Sequence, residues 1–470
     1  MTEFQHPVSA TDPRLANEVR ESVQAGLPAT IADLGSLIRI PSVSWEAFDP
    51  SHVVSSSEAV AALVESTGLF DTVRTARAPI DGDVLGQPAV LATRPAKNGK
   101  PTVLLYAHHD VQPPGDDDLW LSPPFEPTVR GDRLYGRGAS DDKAGVMTHV
   151  AALRTLREVV GDDIELGINL FIEGEEEFGS RSFANFLAAH RDELEADVIV
   201  VADADNWSTT VPALTVALRG NITFKLTVST LDHASHSGMF GGAVPDAMLA
   251  LIKLLATLHD DAGSVAVAGL TSRDTEYPDY DEAQLRDETG LLEGVSPIGS
   301  GHLLSRLWSQ PAITVTGIDA PTMANASNTL SPTVSVRVSA RIAPGQTGER
   351  AYAAIEKHLL GQSVFGAHVD ISDVDMGNGF LVDTSGWAFA EAATALKEGW
   401  GETALQLGIG GSIPFIADLA DMFPDAQILV TGVEDPDTRA HSPNESQHLG
   451  VLHRSILSEA LLLARLNVRA

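Results

Sequence analysis

Several short clusters along the chain combine residue types that hold metal ions or move protons. They are His108-His109-Asp110, the run Glu173-Gly174-Glu175-Glu176-Glu177, Asp203 with Asp205, and His441-Ser442-Pro443-Asn444-Glu445. The Gly-rich segment from Tyr135 to Lys143 adds Asp141 and Asp142. Imidazole nitrogen and carboxylate oxygen suit Zn²⁺, Mn²⁺ or Co²⁺, and two such ions sharing a carboxylate activate a water between them. Each cluster also has an ordinary alternative. Ser140 or Asp141 is a good helix N-cap, acidic runs are usually solvated, and single histidines in loops are common. The set gains weight together, because several carboxylates beside buried strands repel one another unless a cation neutralises them.

The elements that must position these residues follow one pattern. Val103 to Tyr106, Ile168 to Ile172 and Val198 to Val201 are apolar runs rich in β-branched residues, and each leads directly into one of the clusters. Such runs are strands buried on both faces. Helical segments, Lys143 to Val160 and Ser182 to Leu194, lie between them, so the expected body is α/β with a mostly parallel sheet. Ligands bind beyond the carboxyl ends of strands in such sheets, where the clusters stand. A further helix is expected from Ile31 to about Pro41, after a polar, turn-forming stretch of about 30 residues.

From about residue 220 the pattern changes. Phe224, Leu226 and Val228, and later Val334, Val336 and Val338, alternate with polar residues, as half-exposed antiparallel strands do. With helices at 244–258 and 348–360, the order resembles a ferredoxin-like α+β unit carrying an acidic insertion at 263–310. The α/β pattern returns after about 385. The expected organisation is a catalytic α/β domain in two segments, 1–218 and 383–470, with an inserted lid or dimerisation domain at 219–382.

Composition removes several classes of function. The 470 residues carry 31 Lys+Arg against 64 Asp+Glu, a net charge of −33, so neither nucleic acid nor an anionic membrane is an expected partner. No apolar run is long enough to span a bilayer. The chain has no cysteine, which excludes disulfides, thiolate metal sites and a cysteine nucleophile. The first residues lack a basic and then apolar leader, and a cytoplasmic protein is expected.

In series, the motifs resemble the dinuclear-metal peptidase and aminoacylase family, and most of all its dipeptidase branch of carnosinase and cytosolic non-specific dipeptidase. The resemblance rests on Tyr106-Ala107-His108-His109-Asp110-Val111-Gln112-Pro113, Trp120 with Pro124-Phe125, and Tyr135-Gly136-Arg137-Gly138 through Lys143. The Glu-rich turn, His236-Ser237-Gly238, Gly410-Gly411-Ser412-Ile413-Pro414 and His441 to Glu445 complete it in the family's order.

The resemblance implies two divalent ions per chain, Zn²⁺ first and Mn²⁺ or Co²⁺ as alternatives. His108 and Asp203 would bind one, Glu177 and His441 the other, and Asp141 would bridge them across a cis Asp141–Asp142 peptide. Glu176 would be the general base and Asp110 would orient His108. His236 would act in the partner subunit of a homodimer, while Arg341, Ser412 and Thr329 would hold the substrate's carboxylate. The implied reaction is hydrolysis of a dipeptide. Ile409 stands where dipeptidase relatives commonly carry an acidic residue, which keeps an N-acyl amino acid, as in desuccinylase-type deacylases, as the alternative substrate. A non-catalytic binding protein on the same fold would have lost a ligand or the base, and all are present.

Overall fold

The structure is a computed structural model that describes residues 8–273, 275–411 and 414–469. In chain order its main elements begin with α1 (Pro13–Ile38), β1 (Thr72–Ala76), β2 (Ala89–Arg94), β3 (Thr102–His108), α2 (Lys143–Val160), β4 (Gly167–Glu173), β5 (Val198–Asp205) and β6 (Ala213–Leu218). There follow β7 (Gly220–Ser229), α3 (Ala247–Ala256), β8 (Ala312–Asp319), β9 (Thr333–Ile342), α4 (Gly348–Gly361) and β10 (His368–Gly377). The chain closes with α5 (Trp387–Trp400), β11 (Gln427–Glu434) and α6 (Leu449–Val468). It divides into two compact units: Met1–Val216, Val382–Leu407 and Asp418–Ala470 form the first, and Ala217–Leu381 with Gly408–Ala417 the second.

The sheet of the first unit runs β1-β2-β4-β3-β5-β11-β6. Its centre is parallel: β3 pairs with β4 and β5, and β5 with β11. The outer pairings, β1 with β2, β2 with β4 and β6 with β11, are antiparallel. Val103, Leu104, Leu105, Ile168, Leu170, Val198 and Val200 are fully buried, as continuous apolar runs at the centre of a covered sheet must be. Helices α1, α2, α5 and α6 supply the rest of that core, through Leu34, Leu37, Val150, Leu153, Phe389, Leu452 and Leu461 among others.

Two local expectations differ from the structure. Helix α1 starts at Pro13 rather than Ile31. Asp12 caps it, accepting the N–H groups of Arg14 at 3.0 Å and Leu15 at 3.2 Å, and Pro13 fits the first turn, where its missing donor costs nothing. Burial of Ala16, Val19 and Val23 carries the helix through Pro28. The expected helix from 182 to 194 is two helices, Phe183–Ala189 and Arg191–Leu194, which meet at His190.

The second unit contains an antiparallel sheet in the order β8-β9-β7-β10. With β7, β8, β9 and β10 counted first to fourth, that is the strand order of a ferredoxin-like unit. Its inward residues Ile222, Phe224, Leu226, Val336 and Val338 are buried against Ala250, Leu254 and Ile355 of α3 and α4. Period-two alternation therefore faces a covered side and an open side. Among the described residues no helix is long and apolar enough to cross a membrane.

Candidate metal centre

Parallel strands deliver the side chains to one edge of the first unit. β3 ends on His108, which lies opposite Glu173 at the end of β4. The chain after Glu173 turns through a short 3₁₀ segment at Glu176–Phe178, and Asp203 lies near the end of β5. Asp141 precedes α2, and its peptide to Asp142 is cis. Asp142 itself fixes the corner. One oxygen accepts the Gly145 N–H at 3.1 Å and the other the His108 N–H at 3.0 Å. A Cβ at Gly145 would lie 2.3 Å from the carbonyl oxygen of Ala202 on β5, so only glycine lets α2 begin this close to the sheet.

Two triads meet at Asp141. His108 Nε2 lies 3.1 Å from Asp141 Oδ1 and 4.0 Å from Asp203 Oδ2. His441 Nε2 lies 2.9 Å from Asp141 Oδ2 and 3.2 Å from Glu177 Oε2. His108, Asp141 and Asp203 thus offer ligand atoms within 4.8 Å of one another, and so do Asp141, Glu177 and His441. Glu176 belongs to neither triad, yet its Oε2 comes within 3.9 Å of His108 Nε2. His441 has a positive φ of 61°, an uncommon conformation for a side-chain-bearing residue.

Supporting residues hold these groups in place. Asp110 accepts the N–H of Glu176 and that of Glu177, each at 3.1 Å, and the Ser44 hydroxyl at 2.7 Å. Its main-chain oxygen lies 3.1 Å from His108 Nδ1. Gln112 donates to Glu177 from its main chain at 3.0 Å and from its side-chain amide at 2.7 Å. Glu445, fully buried, accepts the N–H groups of Gly138, Ser140 and Asp141 at 3.0, 3.0 and 3.2 Å and is paired with Arg137 at 2.6 Å. Sequence reasoning assigned no role to Gln112, Asp142 or Glu445, although all three lie within its motifs. An acid one residue past an Asn-containing turn is a weak signal, because its partners are some 300 positions away.

The electrostatics are those of a site that attracts cations. Burial, followed by the charge of Asp141, pushes Glu177 up to about 7. Burial likewise raises Asp203 to about 6 and lifts Glu176 well above the ordinary carboxylate range. Hydrogen bonds to Asp141 and then Glu177 raise His441 to about 11. For His108, burial acts downward but is outweighed by bonds to Asp110 and Asp141. Imidazole and carboxylate at these separations fit two divalent cations sharing one carboxylate. His109 is not part of the cluster. It is buried, its Nε2 lies 2.9 Å from the Pro88 oxygen, and burial lowers it to about 4.

The remaining candidates lie in the second unit. His236 and Thr329 face each other as partners in a two-stranded ladder, and both are exposed. Arg341 stands in β9 opposite Asn221. Ser412 lies outside the described residues.

Residues 104–465 match the sequence pattern of peptidase family M20/M25/M40. The chain belongs to this family. It is a metal-dependent peptidase, a hydrolase of peptide bonds. The cysteinylglycine-S-conjugate dipeptidase of Corynebacterium striatum is 32% identical to this peptidase over 422 residues, covering 88% of this chain and 91% of that protein. The Beta-Ala-His dipeptidase of Mus musculus is 27% identical over 375 residues, covering 76% and 75%. The structure of the dipeptidase Dug1p from Saccharomyces cerevisiae shares the fold, with a TM-score of 0.76, 22% identity and coverage of 97% and 99%.

Proposed function

We propose that this peptidase hydrolyses dipeptides at a dinuclear centre in which His108 and Asp203 hold one ion, Glu177 and His441 the other, and Asp141 both. The observation that carries the proposal is the sharing of Asp141, with one oxygen toward each histidine. Zn²⁺ is the first choice of ion, and Mn²⁺ or Co²⁺ would accept the same donors. Bound there, the ions would lower the pKa of a water toward about 7 and polarise the scissile carbonyl.

The rest of the work falls to side chains. Glu176 stands beside the ligands without a place among them, and its raised proton affinity suits a base that takes the water's proton and passes it to the leaving amine. Asp110 keeps His108 and the Glu176–Glu177 turn aligned, a role typical of groups behind metal histidines. Arg341, with Ser412 and Thr329, would hold the substrate's terminal carboxylate in the bidentate manner open to a guanidinium. Residues 219–382 would form a lid through which the chain makes a homodimer, and the partner subunit's His236 would polarise the carbonyl.

Dipeptides are favoured over N-acyl amino acids because the relatives described above, at 32% and 27% identity, are both dipeptidases. The test compares wild type with Glu176→Gln. Both should carry about two divalent ions per chain, while kcat falls about 10²–10⁴-fold in the variant. A metal-free wild type under every supplementation, or an unchanged kcat, contradicts the proposal.

A further inference from the structure

The second unit holds a positive group that the proposed roles leave unused. Arg219 stands just before β7, two residues from Asn221, and Asn221 lies opposite Arg341 in the β7–β9 ladder. Residues two apart along a strand share a face, as do residues directly opposite. Three polar side chains are thereby brought to one side of one sheet end.

Among the described residues, every hydrogen bond Arg219 donates from its side chain goes to a main-chain oxygen. Nε reaches Gly410 at 2.9 Å, and Nη1 reaches Arg306 and Gln310, each at 3.4 Å. Among the described residues no carboxylate compensates its charge there, in a chain with twice as many acids as bases. Burial, followed by the like charge of Arg341, lowers Arg219 to about 10. Asn221 adds a side-chain oxygen that is buried with no hydrogen-bond partner. An uncompensated guanidinium beside a second arginine is an environment short of an anion.

Arg219 also fixes the turn before Ser412. Its own N–H bonds the Ile409 oxygen at 3.3 Å. A Cβ at Gly410 would lie 2.9 Å from Arg219 Nη2 and 2.9 Å from the Leu307 oxygen. The glycine is therefore required where the guanidinium and the end of the 303–308 helix close on it.

We propose that Arg219 is a positioning residue for the substrate's carboxylate: it clamps the Gly410 turn and supplies a second positive charge beside Arg341. This rests on the reading in which Arg341 receives that carboxylate. A guanidinium that merely tied loops together would affect every substrate alike.

The experiment uses the metal-loaded full chain, a dipeptide, and the same dipeptide with its terminal carboxylate amidated. In Arg219→Met, KM for the dipeptide should rise about tenfold or more, with kcat changed less than about threefold and KM for the amide unchanged. Arg219→Lys, which keeps the charge but loses the fork, should fall between Arg219→Met and wild type. It also serves if the methionine variant does not fold. Equal shifts for both substrates, or none, overturn the inference. Arg341→Met separates it from the functional reading. If that variant shows the carboxylate-specific rise and Arg219 variants do not, the inference alone fails. If Arg341→Met shows none, the assignment of Arg341 fails and the inference with it.

Discussion

Asp110 holds Glu176 through the main chain: its Oδ1 accepts the Glu176 N–H at 3.1 Å. Its Oδ2 takes the next N–H, that of Glu177, and its main-chain oxygen faces His108 Nδ1. One residue, fully buried, thus positions Glu176, the proposed base, together with His108 of one triad and Glu177 of the other.

Removing it should loosen metal before it unfolds the chain. Asp110→Ala is expected to weaken Zn²⁺ binding by about 10–100-fold, the range seen when groups behind metal ligands are lost. Competition with a chelator of known affinity measures it. An unchanged affinity would show that the 173–177 turn keeps its shape without the carboxylate.

Glu445 makes a stability prediction. It accepts three N–H groups of the turn that carries Asp141 and neutralises a buried Arg137. Glu445→Ala leaves that guanidinium unpaired and should cost about 3–5 kcal/mol, read from the urea midpoint of the metal-free protein. Metal affinity should fall with it, because Asp141 is shared by both triads.

Metal binding should release protons. Without metal at pH 7, His441 is protonated, since Asp141 and Glu177 hold it at about 11, and burial pushes Glu177 up to about 7, so that it binds a proton more readily than an ordinary carboxylate. Ligands must bind as neutral imidazole and free carboxylate, so each proton has to leave. Affinity therefore rises with pH between 6 and 8 and weakens on acidification. Calorimetry in two buffers of different ionisation enthalpy should report release of at least about one proton per chain. A binding heat independent of buffer would contradict the sign.

What the sequence made legible follows from where the information lies. Val103 to Tyr106 and Val198 to Val201 are buried on both faces, so they stand out as apolar runs and mark the residues at their ends. β1 gave no such signal. β1 is half exposed, and its neighbours are set by long-range pairing rather than by local pattern. The start of α1 was hidden by Pro28, a residue that argues against a helix until the buried stripe around it is known. His108, Asp141, Glu177, Asp203 and His441 stand in the short motifs that carry the family resemblance, and the structure brings their side chains together in two triads. The clamps of Glu445 and Gln112 were not read there, because a hydrogen bond across 305 or 65 residues leaves no trace in spacing.

The measurement that bears most directly on dipeptide hydrolysis is a substrate panel. Purified protein loaded in turn with Zn²⁺, Mn²⁺ and Co²⁺ is offered free dipeptides, N-acetyl amino acids and N-succinyl amino acids. The dinuclear dipeptidase account predicts turnover of free dipeptides, lost on chelation and restored by metal. Turnover confined to the acylated amino acids would contradict it.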